Sequence, residues 1–376
     1  MRIGSFELNL RELAGSMGDF GTLFPLAIGY TAVCGLDPAG FLVMMGTANV
    51  AAGLFYRLPV PVQPMKVLAV MAIAQHWSPS LVYAAAAGMG IVWMLAASTE
   101  VMGWIARATP VSVVRGIQVA LGLLLAIAAV KLLATGWWLG LAAVAIVLLL
   151  RQSRIAPAAV VLMVLGVAIM LGTGRLQDIP APAFRLPPLT GFLPVQIWEA
   201  MLRAGFAQTP VTATNAIIAT AALAGTYWPQ GKVTERKLAF STGVMNLIVP
   251  FFGGMPMCHG AGGLAGQYYF GARTGGAKLI EGGIEIGAGL FLASSIAGLF
   301  TAFPQPIMGA MLLLVGLELV KFGREIRWGW DLVPLAATVA VALFTNMAYG
   351  FLAGLAVHYA AQFVLSRMRA RRSQPL

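Results

Sequence analysis

Three prolines fall within six residues in Pro59-Val60-Pro61-Val62-Gln63-Pro64-Met65-Lys66, and the apolar run Val67-Leu68-Ala69-Val70-Met71-Ala72-Ile73-Ala74 follows at once. Proline lacks a backbone donor and restricts the residue before it, so this stretch is a break that opens a helix N-terminus. A second break, Gly253-Gly254-Met255-Pro256-Met257-Cys258-His259-Gly260-Ala261-Gly262-Gly263, precedes another short apolar segment. A helix N-terminus exposes unsatisfied N–H groups and about half a positive charge. Two such ends facing one another make an anion site from backbone alone. Gln63 and His259 would add side-chain donors, and Lys66 a full positive charge. The small residues Gly260, Ala261 and Gly262 let the backbone approach a ligand closely. These residue types suit a small, strongly charged anion.

A third polar group lies on Gln208-Thr209-Pro210-Val211-Thr212-Ala213-Thr214-Asn215. Gln208, Thr212 and Asn215 recur at helical spacing. Pro210 would loosen the helix beside Gln208 and free a carbonyl, so Gln208 and Thr209 are candidates to line the site. Helix–helix hydrogen bonding is the alternative role for such residues. Asp19, within Gly15-Ser16-Met17-Gly18-Asp19-Phe20-Gly21-Thr22, has no adjacent base. It either balances Lys66 or carries a proton. Lys66 in turn either attracts the anion or pairs with a buried acid, since an uncompensated lysine near a bilayer centre costs roughly 2.5–3.5 kcal/mol. His259 contacts the ligand or serves as a hydrogen-bonded structural histidine. Asn49 and Asn246 read as helix glue, and Gln267 stays open. Glu281, Glu285 and Glu318 read as members of ion pairs. Cys34 and Cys258 form neither a disulfide framework nor a metal set, so no metal or cofactor is expected.

The elements that must position these residues follow from composition. The chain is 59% hydrophobic and 10% charged, against roughly 25% charged in soluble domains, and so reads as an integral membrane protein. The net charge of +11 is spread over short loops between apolar runs, which argues against a nucleic-acid partner. Continuous apolar runs, such as residues 139–150, exclude the alternation of a β-barrel. The pattern predicts an all-α polytopic membrane protein of about 14 segments. Segment 3 covers residues 63–75, segment 8 residues 198–225, and segment 10 ends near Gly271. Expected inner loops hold Arg57, Arg107, Arg115, Arg151, Arg154 and a basic tail, whereas the opposite loops near Asp37, His76, Phe303 and Tyr349 hold no lysine or arginine. Lys131, Arg175, Arg185 and Arg203 run against the bias. The asymmetry predicts a cytoplasmic (inner) membrane protein with both termini cytoplasmic.

The two halves also resemble each other. Gly46, Asn49, Phe55 and Pro59 match Gly243, Asn246, Phe252 and Pro256 at an offset of 197, and Glu12 and Gly18 match Glu199 and Gly205 at 187. A proline-rich connector, residues 174–194, then separates a first repeat, 1–173, from a second, 195–376. Seven segments per half is an odd number, so the second half is inverted and segments 3 and 10 become half-helices meeting at the bilayer midplane.

The motifs Gly15-Ser16-Met17-Gly18-Asp19-Phe20-Gly21-Thr22, Pro61-Val62-Gln63-Pro64-Met65-Lys66 and Met255-Pro256-Met257-Cys258-His259-Gly260-Ala261-Gly262-Gly263-Leu264-Ala265-Gly266-Gln267-Tyr268 resemble signatures of the molybdate transporter family, a branch of the sulfate-permease superfamily. The likeness runs over nearly the whole chain. It implies a core of segments 1–4 and 8–11, a gate of segments 5–7 and 12–14, and molybdate bound between segments 3 and 10. Larger sulfate permeases carry a cytoplasmic regulatory domain after the last span; this sequence ends at residue 376, shortly past Leu365, so that domain is expected to be absent. The implied function is secondary-active, proton-coupled import of molybdate by alternating access, with coupling through Asp19 or His259. Its partners are the oxyanion, with sulfate and tungstate as analogues, the bilayer and a second copy in a homodimer. A sulfate permease is the near rival. A nucleobase permease would want a carboxylate in segment 8, where Gln208-Thr209 stands. An anion channel would need a continuous polar pore, and an enzyme a nucleophile or metal set.

Overall fold

The structure is a computed structural model and describes residues 2–17, 20–99, 108–150, 158–175, 179–231, 233–326 and 329–372. Asp19, a candidate for charge balance or coupling, lies outside the described residues. The described chain is mostly helical, as expected. A short hairpin, β1 (Arg2–Ile3) with β2 (Phe6–Glu7), precedes α1 (Leu10–Ser16), so Gly15 belongs to a separate helix and not to segment 1. Segments 1 to 7 are α2 (Phe20–Ala32), α3 (Pro38–Tyr56), α4 (Lys66–Ala74), α5 (Pro79–Ser98), α6 (Val111–Leu133), α7 (Trp137–Leu150) and α8 (Ala158–Gly172). Segment 8 is one helical rod, 194–227, made of α9 (Pro194–Ala200), α10 (Phe206–Val211) and α11 (Ala219–Tyr227) with π turns at Met201–Gly205 and Thr212–Ile218 between them. Segments 9 to 14 are α12 (Glu235–Ile248), α13 (Ala261–Phe270), α14 (Gly276–Ala302), α15 (Gln305–Val320), α16 (Leu332–Phe344) and α17 (Met347–Arg372).

Six helices among the described residues are long and apolar enough to cross a membrane, and α7, α16 and part of α8 are shorter apolar helices. Exposed Leu149, Val164 and Phe344 on those shorter helices are the side chains a lipid-facing surface presents. In contrast α4 is buried on every side, with Val67 to Ile73 at most 3% exposed.

The two breaks meet. β3 (Gln63–Pro64) pairs antiparallel with β4 (Met257–Cys258), Gln63 opposite Cys258 and Pro64 opposite Met257. Pro64 fixes φ and constrains Gln63 to extended backbone, which is why the helix starts at Lys66 and not at residue 63. The starts of the two helices, Lys66 of α4 and Ala261 of α13, lie 195 residues apart, close to the offset of 197 between the matched residues. Glycines also meet on α6 and α15: a Cβ on Gly122 would lie 2.5 Å from the Gly316 carbonyl oxygen, and one on Gly316 would lie 2.8 Å from the Gly122 oxygen.

Asn49 and Asn246, matched across the repeats, hold the two breaks in place. Asn49 Oδ1 accepts the Val62 N–H at 3.2 Å, and Asn246 Oδ1 accepts the Met257 N–H at 2.9 Å. Around them α3 lies along α14 and α5 along α12, with close approaches at Gly46, Gly282, Gly90 and Gly243. A second group, α6, α15 and α16, packs together beside α17. The connector runs extended over α14: Ala183 and Arg185 donate backbone N–H groups to Phe291 and Leu290. Arg185 there pairs with Asp37 at 3.1 Å, which accounts for a cation in a loop where the charge bias predicts none.

Candidate anion-binding site

A cavity of about 240 Å3 lies where the strand pair gives way to the starts of α4 and α13. Gln63, Lys66, Gln208, His259, Gly260, Ala261 and Gly262 all line it. Seven of the eight expected binding residues are therefore brought together. Thr209 is not among the lining residues; its hydroxyl donates to the Gly205 carbonyl at 3.0 Å. Neighbouring helical positions point about 100° apart, and Thr209 is turned to the side away from Gln208, where its hydroxyl meets its own helix. Thr212 and Asn215, on the Gln208 face, line it instead.

The two helix starts differ in one decisive respect. At α4 the Gln208 Oε1 accepts from the Val67 and Leu68 N–H groups at 2.8 and 3.3 Å, while Gln208 Nε2 donates to Thr212 Oγ1 at 2.6 Å. Gln208 thus caps α4 from another helix, and its carbonyl oxygen and one of its two amide N–H groups are spent within the protein. The sequence expectation that both ends offer bare donors needs correction at α4. At α13 the N-cap is Gly260, which has no side chain to fold back, and no described side chain caps the helix from elsewhere, so among the described residues its first N–H groups are left for the cavity they line. The positive end of α13 faces the same space.

Gln63 supplies the side-chain donor. It is 4% exposed, and its Nε2 has no hydrogen-bond partner among the described residues. A Cβ on Gly260 would come within 2.4 Å of Gln63 Oε1, so only glycine allows the amide to sit against the helix start. Lys66 is half-buried and forms no ion pair with a described residue. His259, 1% exposed, behaves differently from the sequence expectation. Its Nδ1 donates to the Pro61 carbonyl at 2.9 Å, and its Nε2 accepts from the Ser241 hydroxyl at 2.7 Å. Both ring nitrogens are engaged, so His259 forms a wall and has no spare donor for a ligand.

Other polar residues fall into place away from the cavity. Glu281 pairs with Lys278 and accepts from Gln267 Nε2, and Glu285 accepts from Asn49 Nδ2 at 2.7 Å. Glu318 pairs with Lys321, as expected, and Cys34 and Cys258 are buried thiols outside any disulfide. No group of metal-ligating side chains occurs among the described residues. Arg115 and Gln118 of α6 line the cavity without having been singled out in the sequence. Arg115 reads there as one more inner-loop charge, although two polar residues three apart in an apolar helix were a usable signal. A second cavity, of about 370 Å3, lies behind His259 and is walled by Phe55, Phe240, Met245 and other apolar residues. It offers an anion no charge.

Similarity to known proteins agrees with this chemistry. A family model described as the molybdate transporter of MFS superfamily matches residues 11–125 and 200–319, the two blocks that contain the breaks. The chain is 30% identical to Molybdate transporter 1 of Arabidopsis thaliana over 93% of its own length and 87% of that protein's. It is 28% identical to Molybdate transporter 1 of Chlamydomonas reinhardtii, covering 93% and 91%. In fold it is similar to murine Slc26a9, an anion transporter solved in the inward-facing state, with a TM-score of 0.74, 12% identity and coverage of 97% and 70%. The transmembrane domain of the cyanobacterial bicarbonate transporter BicA gives 0.65 at 15% identity, covering 93% and 96%. A structure of SLC26A9 gives 0.72 at 14% identity, and the chain spans 65% of its length. The link to sulfate permeases rests on this fold alone. The chain is a multi-pass membrane transporter of the molybdate transporter family and not an enzyme.

Proposed function

We propose that this chain is a secondary-active carrier that brings molybdate into the cell across the cytoplasmic membrane, with both termini on the cytoplasmic side. The observation that carries the reading is that, among the described residues, the N-terminus of α13 has no side-chain cap and Gln63 Nε2 no partner, and both stand with Lys66 at one cavity. An oxyanion bound there exchanges hydration for backbone N–H groups, one amide and one ammonium. Charge-assisted bonds of this kind are the strong ones. Carriage proceeds by alternating access: a core built on α2–α5 and α9–α14 moves the ion past a gate of α6–α8 and α15–α17. The matched asparagines, each holding one break, and the antiparallel meeting of the two breaks support a seven-plus-seven inverted repeat, residues 1–173 and 195–376. A homodimer is the assembly we propose.

A tetrahedral dianion beside one lysine retains net negative charge, so entry is coupled to a cation, most simply a proton. Asp19 and His259 are the carriers proposed for it. To take a proton, His259 must turn the Ser241 hydroxyl from donor to acceptor inside a closed network, which makes Asp19 the simpler carrier. Uptake by proteoliposomes tests the substrate. Wild-type protein should take up radiolabelled molybdate, with tungstate competing strongly and sulfate weakly. Lys66→Ala should weaken all three. Preference for sulfate would overturn the molybdate assignment.

A further inference from the structure

Arg115 stands on α6, apart from both breaks, yet lines the same cavity as Lys66. Its side chain is 16% exposed and its guanidinium lies 4.9 Å above the Phe322 ring. Three of its nitrogens have distinct fates. Nη1 donates to Gln118 Oε1 at 2.9 Å, and Nη2 pairs with Glu325 Oε2 at 2.5 Å. Nε is buried with no partner among the described residues. Nε–H and Nη2–H form the side-on fork of a guanidinium, the edge that matches two oxygens of one oxyanion. Glu325 occupies half of that fork and leaves the other half empty. Glu325 is itself 52% exposed, at the end of the 3-10 turn Lys321–Glu325 after α15, so it can swing into solvent.

We propose that Arg115 is a second cation of the anion path: the oxyanion takes the Nε and Nη2 edge of Arg115 and displaces Glu325. This rests on the oxyanion-carrier reading and deepens it. Lys66 opens α4 and Arg115 belongs to the packed group of α6 and α15, so the two cations ride on different parts of the molecule. A dianion held by both is neutralised; held by Lys66 alone it is not. Glu325 acts as a resident anion that competes for Arg115, balancing its charge when the site is empty and making release reversible. A bidentate ligand wins that competition because it fills the donor that Glu325 leaves bare.

The test is equilibrium binding of molybdate, tungstate and sulfate to the purified full chain in nanodiscs, with exchange in proteoliposomes as a second readout. Glu325→Gln removes the competitor and should tighten binding several-fold. Arg115→Gln should weaken it by about tenfold or more, the loss of one charge-assisted contact. Arg115→Lys keeps the charge without the fork and should fall between. In the Arg115→Gln background, Glu325→Gln should change affinity no further. A merely structural ion pair predicts the opposite pattern: both variants lower thermal stability and neither shifts affinity, which overturns the proposal. Should Arg115→Gln fail to fold, Glu325→Gln decides alone, since unchanged affinity in that variant also overturns it. If wild-type protein binds none of the three oxyanions, the carrier reading falls and this inference falls with it. Oxyanion binding without the Arg115–Glu325 pattern removes the inference only.

Discussion

Gln63 and Gly260 depend on each other. The amide fits against the start of α13 only because position 260 has no Cβ, and its buried Nε2 has no partner among the described residues although the residue lines the cavity. A buried donor left unmade is expensive, about 1–3 kcal/mol, so its persistence marks a place where a ligand completes the bonding. Gln63→Leu removes that donor while filling much of the same volume. Its expected effect is a loss in molybdate affinity of about tenfold to a hundredfold with thermal stability equal to or above wild type, read by binding and by thermal unfolding in detergent. Gly262→Ala separates ligand space from protein space. A Cβ there meets no atom of the described residues within 4 Å, yet position 262 lines the cavity. The variant should therefore fold normally and bind the oxyanion more weakly; unchanged binding would place the ion elsewhere.

At the scale of elements, each break is held by an asparagine on a neighbouring helix. Asn246 is the more heavily used: its Oδ1 accepts from the Met257 N–H, and its Nδ2 donates to the Met257 carbonyl at 2.5 Å. Asn246→Leu strands both backbone groups inside the protein, where water cannot reach them. Loss of about 2–5 kcal/mol is expected, seen as a lower unfolding temperature together with lost binding, in contrast to the binding-only defect of Gln63→Leu. The breaks, the helix that follows each one, and the pairing of Asn49 with Asn246 were legible in the sequence because proline and glycine act locally and the repeat put the asparagines in register. The capping of α4 by Gln208 was not legible, since it joins residues 141 apart and nothing local distinguishes a capping amide from a ligand-binding one. The π turns at Met201–Gly205 and Thr212–Ile218 escaped for a related reason: Pro210 announces a disturbance, but the packing around it decides where the helix widens. The β3–β4 pairing brings together segments with no strand-like periodicity, two residues each, and only the meeting of the two breaks creates it.

For the whole molecule, charge decides the energetics of carriage. One described cation on the breaks, Lys66, faces a ligand carrying two negative charges, while Arg115 stands on the other packed group. Over a full cycle the Lys66 charge returns with the empty carrier, so a dianion carried alone moves two net negative charges inward, and an inside-negative potential opposes its accumulation by about 2.3 kcal/mol per charge per 100 mV. Two protons taken up with the anion cancel that charge and remove the opposition. The cases separate in proteoliposomes whose potential and pH gradient are set independently. With equal pH on both sides, carriage with two protons should reach an accumulation nearly independent of potential, and an inward proton gradient at zero potential should drive accumulation. One proton per dianion would leave an inside-negative potential opposing accumulation, and three would make that potential favour it, so the sign of the voltage dependence counts the protons. Uptake that ignores the proton gradient, survives protonophores and slows at inside-negative potential would eliminate proton coupling and leave an electrogenic anion carrier. Running the same protocol on Lys66→Gln sharpens the reading: the accumulation ratio should keep its voltage dependence, while the loaded step should gain about one charge of opposition if Lys66 travels with the ion.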